Sequence, residues 1–156
     1  MLTDNTFLLH GETGEWKAFF APDGFGLRLL MDAGVKTALT TGRDSAIVER
    51  RARELGMGLV LQGCRDKAAA FTEVCKHFDI APTNAGYVGD DLVDLGAMRL
   101  AGFSAAPADA RAEVREVADV VTAARGGRGA VREVCELLLH RMGRWDDIVR
   151  SHRGET

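Results

Sequence analysis

The sequence predicts an α/β domain built on a doubly wound parallel sheet, and three observations predict it. Short, weakly charged apolar runs at 35–39, 58–61, 85–88 and 103–106 read as strands buried on both faces. Between them lie stretches of roughly ten residues whose apolar positions recur at helical spacing, and strands alternating with such helices argue right-handed crossovers in one sheet. Thirdly, Gly89-Asp90-Asp91 follows the 85–88 run directly, with Asp94 one helical turn later. Open parallel sheets collect their ligands beyond the carboxyl ends of strands, so acids placed there can hold a hard cation such as Mg2+ through oxygen. Taken in isolation, a Gly-Asp-Asp is equally a solvated turn with a helix cap.

At 156 residues the chain is expected to form a single domain, 1–156, with a core that needs no staples. It is 46% hydrophobic and 28% charged, with a formal charge of -3, which gives no basic footprint for nucleic acid or an acidic membrane. The three cysteines, Cys64, Cys75 and Cys135, lack paired metal spacing and fit reduced thiols. No apolar run approaches the ~18 residues of a membrane span, and Asp4 stands where a signal peptide carries positive charge, so a soluble cytoplasmic protein is expected.

Residues 1–5 read as the second half of a loop with no element before it. A β-hairpin insertion at about 7–20 follows, with strands at 7–10 and 15–20 around a turn bounded by Gly11 and Gly14. An isolated hairpin is marginal in water, so its aromatic face should pack on something else. Asp23, after Pro22, is placed to cap a helix through Met31 that ends at Gly34. The 35–39 strand runs into Thr40-Thr41-Gly42-Arg43, and Asp44 or Ser45 opens a helix closed by Gly56. After the 58–61 strand, Asp66 caps a helix with Ala70, Phe71, Val74, Cys75 and Phe78 inward. Beyond the 85–88 strand comes a helix with Leu95, Met98 and Leu100, then 103–106, a short helix through Ala112 and Val117, and Val120-Val121. A glycine-rich loop at 125–129 precedes the most regular helix, where Val131, Val134, Cys135, Leu138, Leu139 and Met142 share one face and Arg132, Glu133, Glu136 and Arg141 face away. Residues 145–156 read as a polar tail with one anchor, Trp145, which completes a helix-and-tail unit over about 130–156.

Thr41, Lys67 and the Asp90/Asp91/Asp94 group each follow a strand, so they can converge on one sheet edge. Thr41 alone is an ordinary turn residue. Lys67 sits in a first helical turn, where the macrodipole disfavours a cation, and an anionic partner such as Asp91 or Asp94 would account for it. A hydroxyl with free backbone amides, a lysine and a carboxylate-held cation are the parts that surround a phosphoryl group in transfer. A nucleophile is absent from this set.

The order of these parts resembles motifs two, three and four of the haloacid dehalogenase (HAD) superfamily: Thr41-Gly42-Arg43, Asp66-Lys67, and Gly89-Asp90-Asp91-Leu92-Val93-Asp94-Leu95. More narrowly it resembles the cap-less 3-deoxy-manno-octulosonate 8-phosphate phosphatases and the related sialic-acid-type 9-phosphate phosphatases. Asp23-Gly24-Phe25-Gly26, Thr41-Gly42-Arg43-Asp44-Ser45, Arg51-Ala52-Arg53-Glu54-Leu55-Gly56, Gln62-Gly63-Cys64-Arg65-Asp66-Lys67 and the segment from Gly126 to Val134 carry that likeness across nearly the whole chain. The resemblance implies a Rossmann-type, HAD-like sheet without a cap domain. It implies that Thr41 and Gly42 bind phosphate, that Lys67 binds phosphate and neutralises the nucleophile, and that Asp90 ligates Mg2+. Asp91 and Asp94 would support the metal and Lys67, and Asp23, Gly24, Arg43, Arg128 and Arg132 become candidate substrate residues. A solvated helix face is the plainer account of the two last arginines. The partners implied are a phosphorylated sugar acid and three further copies of the chain, a homotetramer whose hairpins form a central barrel and whose neighbouring subunit replaces the cap.

The family's first motif, Asp-x-Asp-Gly-x-x-Thr-Asp, is represented only by its tail, Leu2-Thr3-Asp4-Asn5. In the family its first aspartate becomes an aspartyl-phosphate and its second is the general acid/base, so no residue here inherits either role. The strand that carries them is also expected to be lacking, which leaves a gap in the middle of the sheet with two unpaired edges. The expectation is a chain that starts late relative to an active natural phosphatase, itself with little or no hydrolase activity and weak Mg2+ binding through Asp90. An inactive oligomeric or sugar-binding module is the alternative. A phosphoacceptor receiver domain is disfavoured, because there the lysine follows the phosphoacceptor whereas Lys67 precedes the carboxylates.

Overall fold

The computed structural model describes residues 1–6, 8–10 and 14–155. Leu8–His10 (β1) and Gly14–Trp16 (β2) pair antiparallel, with Leu8 opposite Trp16 and Leu9 opposite Glu15. Phe7 and the expected turn residues Gly11, Glu12 and Thr13 lie outside the described residues. The second strand stops at Trp16 rather than reaching residue 20. Lys17 turns back to Glu15 at 2.8 Å, and Phe19 lies under the Arg51 guanidinium, 5.8 Å from its ring centre. Leu8, Leu9 and Trp16 are 60%, 73% and 65% exposed, so these three side chains find little cover among the described residues.

Ala21–Asp32 (α1) begins with Pro22 in its first turn, where the missing N–H costs nothing. Phe20, not Asp23, is its N-cap. Asp23 is fully buried and faces Ala130–Arg141 (α6), whose N-terminal turn it caps from outside: its carboxylate accepts the Gly129 amide at 3.3 Å and the Arg132 amide at 2.9 Å. Close packing of α1 on α6 depends on Gly26, where a Cβ would stand 3.1 Å from the Arg132 Cα. Leu27, Leu30, Val131, Cys135 and Leu139 fill that contact.

Ala38–Thr40 (β3) starts later than expected, because Val35 donates its amide to the Leu30 carbonyl and is spent on closing α1. Ala46–Leu55 (α2) ends at Gly56, whose φ of +80° is open to glycine and costly to other residues. Leu59–Leu61 (β4) leads to Lys67–His77 (α3), and Asp66 caps it as expected, accepting the Ala69 amide at 3.0 Å. Gly86–Val88 (β5), Leu95–Leu100 (α4), Phe103–Ala106 (β6), Ala112–Val117 (α5) and Val120–Val121 (β7) continue the alternation.

The expected tail is instead a helix, Trp145–His152 (α7), folded back on α1 and α6. Arg132 is clasped between Phe25 and Trp145, 5.2 and 5.6 Å from their ring centres, which gives the two turns of polar sequence a place to dock. Met142, expected inward, is 44% exposed because α6 has ended at Arg141.

The five central strands pair parallel within two separate sheets: β3 with β4, and β5-β6-β7. Among the described residues no strand lies between β3 and β5. A cavity of about 680 Å³ is lined by both strands. One helical cluster, from α1, α2 and α6, brings Leu27 and Val131 to it, and α3 brings Phe71, Val74 and Phe78.

Candidate active site at the carboxyl ends of the strands

Thr41, Lys67, Asp90 and Asp94 all line the same cavity, although 53 positions separate Thr41 from Asp94 in sequence. Each is delivered by the loop or helix that follows a strand. Thr41 leaves β3 with its amide on the Leu61 carbonyl at 2.9 Å and its carbonyl on the Cys64 amide at 2.9 Å, so the loop is pinned to β4. Its Oγ1 accepts the Arg43 amide at 3.3 Å. The amides of Thr41 and Arg43 are thus engaged; among the described residues the Gly42 amide has no protein partner.

Lys67, the first residue of α3, reaches across to β3 and donates from Nζ to the Thr40 carbonyl at 2.8 Å. The carboxylate partner expected from Asp91 or Asp94 is not there, and no ion pair to Lys67 occurs among the described residues. Both acids are occupied locally. Asp94, 6% exposed, accepts the Tyr87 hydroxyl at 2.8 Å and the amides of Asp90 and Asp91 at 3.0 and 3.2 Å. Asp91 caps the single turn Leu92–Asp94 through the Leu92 amide at 2.7 Å and does not line the cavity. Gly89 is required at this corner, since a Cβ would stand 2.6 Å from that of Asp94.

Asp94 therefore ties down the loop that presents Asp90. The Asp90 carboxylate looks into the cavity, where its Oδ2 accepts the Met1 ammonium at 3.0 Å and the Asn5 side-chain amide at 2.8 Å. A Mg2+ site usually keeps several waters and takes one or two carboxylates plus substrate phosphate. Asp90 fits as one such ligand. Both Asp94 oxygens already accept hydrogen bonds, one on Oδ1 and two on Oδ2, and no group of three or more His, Cys, Asp or Glu side chains able to hold a metal occurs among the described residues.

Tyr87 was not among the residues singled out from sequence. Burial and the nearby Asp94 push its phenol well above the ordinary tyrosine range, so it stays a neutral donor to Asp94, with Thr40 Oγ1 at 3.4 Å on its other side. Asn5 and Glu15 were likewise missed. Glu15 accepts from Ser45 Oγ at 2.7 Å and pairs with Lys17, which together anchor the hairpin at the start of α2 and hold its carboxyl below the usual range. No local motif announces any of the three; each acts through a contact between distant segments.

The candidate substrate residues separate. Arg43 lines the cavity mouth, 4.0 Å from Glu15. Asp23 and Gly24 are buried in the α1 packing, where a Cβ on Gly24 would meet the Arg51 side chain at 2.6 Å. Arg132 is clasped by aromatic rings and Glu136, and Arg128 is exposed beside Asp4 at 3.6 Å. None of these four lines the cavity.

The profile of the haloacid dehalogenase-like hydrolases matches residues 26–102. The chain is 42% identical to the 3-deoxy-D-manno-octulosonate 8-phosphate phosphatase KdsC of Escherichia coli K12 over 147 residues, 94% of this chain and 78% of that protein. It is 39% identical to the same-named enzyme of Yersinia pestis over 139 residues, 89% of this chain and 74% of that one. A crystal structure of the Moraxella catarrhalis 3-deoxy-D-manno-octulosonate 8-phosphate phosphatase, in complex with magnesium, phosphate and KDO, superposes with a TM-score of 0.95 at 41% identity, covering 97% of this chain and 87% of that one. The cobalt-bound enzyme of Haemophilus influenzae superposes with a TM-score of 0.90 at 36% identity, covering 92% and 84%. Together with the parallel strands and the absence of a cap among the described residues, these relationships identify the chain as a member of the haloacid dehalogenase-like hydrolases, in the phosphoric monoester hydrolase branch of the 3-deoxy-D-manno-octulosonate 8-phosphate phosphatases.

Proposed function

We propose that this chain forms the phosphate and metal half of a Mg2+-dependent phosphatase acting on a phosphorylated sugar acid, 3-deoxy-D-manno-octulosonate 8-phosphate before a sialic-acid-type 9-phosphate. The observation that carries the reading is the meeting of the Thr41 hydroxyl, the Lys67 ammonium and the Asp90 carboxylate on one cavity at the strand ends. The Thr41 hydroxyl and the Gly42 amide donate to phosphoryl oxygens, and Lys67 neutralises the charge those oxygens carry in transfer. Asp90 holds the metal, which when bound draws negative charge from the phosphoryl oxygens. Tyr87 and Asp94 are positioning residues: they fix the backbone that aims Asp90. Arg43 at the mouth is the group best placed to meet the sugar-acid carboxylate.

In the reading proposed, turnover runs through an aspartyl-phosphate formed on the first aspartate of an Asp-x-Asp-Gly motif. The exposed Leu8, Leu9 and Trp16 support assembly of the hairpins into a homotetramer. A phosphate-release assay on an upstream-extended chain, with 3-deoxy-D-manno-octulosonate 8-phosphate, a sialic-acid 9-phosphate and p-nitrophenyl phosphate, tests the reading. Turnover should be highest on the first substrate, vanish with a chelator and return with Mg2+. A preference for p-nitrophenyl phosphate, or turnover indifferent to the chelator, refutes it.

A further inference from the structure

Glu15 is a carboxylate that neither the metal position nor the phosphate position accounts for. It belongs to β2 of the hairpin, stands outside the cavity, and meets three residues that line it. Its Oε2 accepts the Ser45 hydroxyl at 2.7 Å. Its Oε1, shut off from solvent, lies 2.8 Å from the Lys17 ammonium and 4.0 Å from the Arg43 guanidinium. The Lys17 side chain is itself only 7% exposed. Charges taken this far out of water are costly unless each keeps its partner, so the group tolerates little displacement.

Ser45 shows what this geometry fixes. It stands at the N-cap of α2, where a serine oxygen ordinarily accepts an amide of the first turn. Here no such bond forms, and the hydroxyl is turned to Glu15 instead. The Ser45 amide donates to the Gln62 side-chain oxygen at 2.7 Å, and the Cys64 amide donates to the Thr41 carbonyl at 2.9 Å. The turn from Thr41 to Ser45 is thus tied at both ends to the loop that runs into Lys67, and Glu15 grips its Ser45 end from the hairpin. Gly42, whose amide has no protein partner among the described residues, lies within that turn. By charge alone Glu15 works against an anion bound beside Thr41 and Lys67. What it contributes to such an anion is the placement of the donors.

We propose that Glu15 is a positioning residue for phosphate: through the Ser45 hydroxyl it fixes the turn that presents the Thr41 hydroxyl and the Gly42 amide. The hairpin is thereby coupled to the phosphate position, because the turn keeps its binding geometry only while Glu15 is docked on Ser45. The part played in phosphate binding rests on the phosphatase reading; the fixing of the turn stands on the hydrogen bonds alone.

The test uses the 156-residue chain and inorganic phosphate in the presence of Mg2+, with dissociation constants from calorimetry. Glu15→Gln and Glu15→Ala both remove the charge, but only glutamine keeps an oxygen for Ser45, so comparing the two isolates the hydrogen bond. Glu15→Gln should bind phosphate at least as tightly as the parent, and Glu15→Ala about fivefold more weakly than Glu15→Gln, the weight of one hydrogen bond. In a Ser45→Ala background the two Glu15 variants should bind alike, since the route to the turn is already cut. A hairpin anchor without a positioning role gives equal affinities for Glu15→Gln and Glu15→Ala, and that result overturns the proposal. So does a difference between them that persists in the Ser45→Ala background. Amide exchange in the unliganded chain is the second measurement. The Ser45 and Cys64 amides should exchange about tenfold faster in Glu15→Ala than in Glu15→Gln, while the Cys135 amide in α6 exchanges alike in both. Unchanged exchange at Ser45 and Cys64, or equal acceleration at Cys135, overturns the proposal. Faster exchange at the turn in a chain that binds no phosphate in any form leaves Glu15 fixing the turn and overturns the phosphatase reading instead.

Discussion

Replacing Asp23 with alanine separates a structural carboxylate from a substrate-binding one. The side chain has no solvent exposure and holds the Gly129 and Arg132 amides at the start of α6. Loss of an N-terminal cap costs about 0.5–2 kcal/mol, and leaving a buried donor unsatisfied costs about 1–3 kcal/mol. Allowing for overlap between these, Asp23→Ala should destabilise the chain by about 2–4 kcal/mol, and at ~2–4 °C per kcal/mol for a chain of this length the midpoint should fall by ~4–16 °C. Asp23→Asn keeps one oxygen for the Arg132 amide and should lose less than half as much. Urea and thermal denaturation read the stability, and phosphate titration reads the site in the same samples. Phosphate affinity should stay within twofold. An unchanged midpoint with weakened phosphate or substrate binding would refute the assignment and return Asp23 to the substrate.

Tyr87→Phe removes one of three donors to the buried Asp94 and should cost about 1 kcal/mol, while lowering Mg2+ affinity because the Asp90 loop loosens; unchanged metal affinity would deny Tyr87 its positioning role. Lys67→Met should leave the unliganded midpoint close to that of the parent but abolish stabilisation by inorganic phosphate, which for the parent reaches about 2.7 kcal/mol at a hundredfold excess over the dissociation constant. For acid stability, the Ser104 amide and hydroxyl hold Asp119 below the ordinary carboxylate range. Its folded-state value is depressed, so its contribution is complete above roughly pH 4 and is lost as the pH falls through the lower value. The midpoint difference between parent and Ser104→Ala should therefore be constant from neutral pH to about pH 5 and narrow below roughly pH 4; a difference that grows on acidification contradicts the assignment.

Most of the element order was legible because strand runs, caps and glycine stops are local signals. Asp66, Gly56 and the α6 stripe each do what their sequence neighbourhood announces. Boundaries moved where a longer-range bond took a residue away, as when Val35 closed α1 instead of entering β3. Helix α7 was not legible, since its docking depends on Phe25 and Arg132, more than a hundred positions apart. In the site, Thr41, Lys67 and Asp90 were readable from their places after strands, and the cavity unites them. Their partners were not: the Lys67 to Thr40 carbonyl bond and the Tyr87 to Asp94 bond arise from side chains reaching across strand ends, which no spacing encodes. Asp23 carried the appearance of a helix cap for its own helix and proved to cap another.

The most direct test of the phosphatase account is the rate of phosphate release from 3-deoxy-D-manno-octulosonate 8-phosphate by the 156-residue chain and by a version extended upstream with an apolar strand ending in Asp-x-Asp-Gly, both in saturating Mg2+. The account predicts Mg2+-dependent turnover by the extended chain, at least a hundredfold less by the shorter one, and loss of the extended chain's activity on Asp90→Asn. Equal rates from the two chains, or no turnover from the extended one, would contradict it.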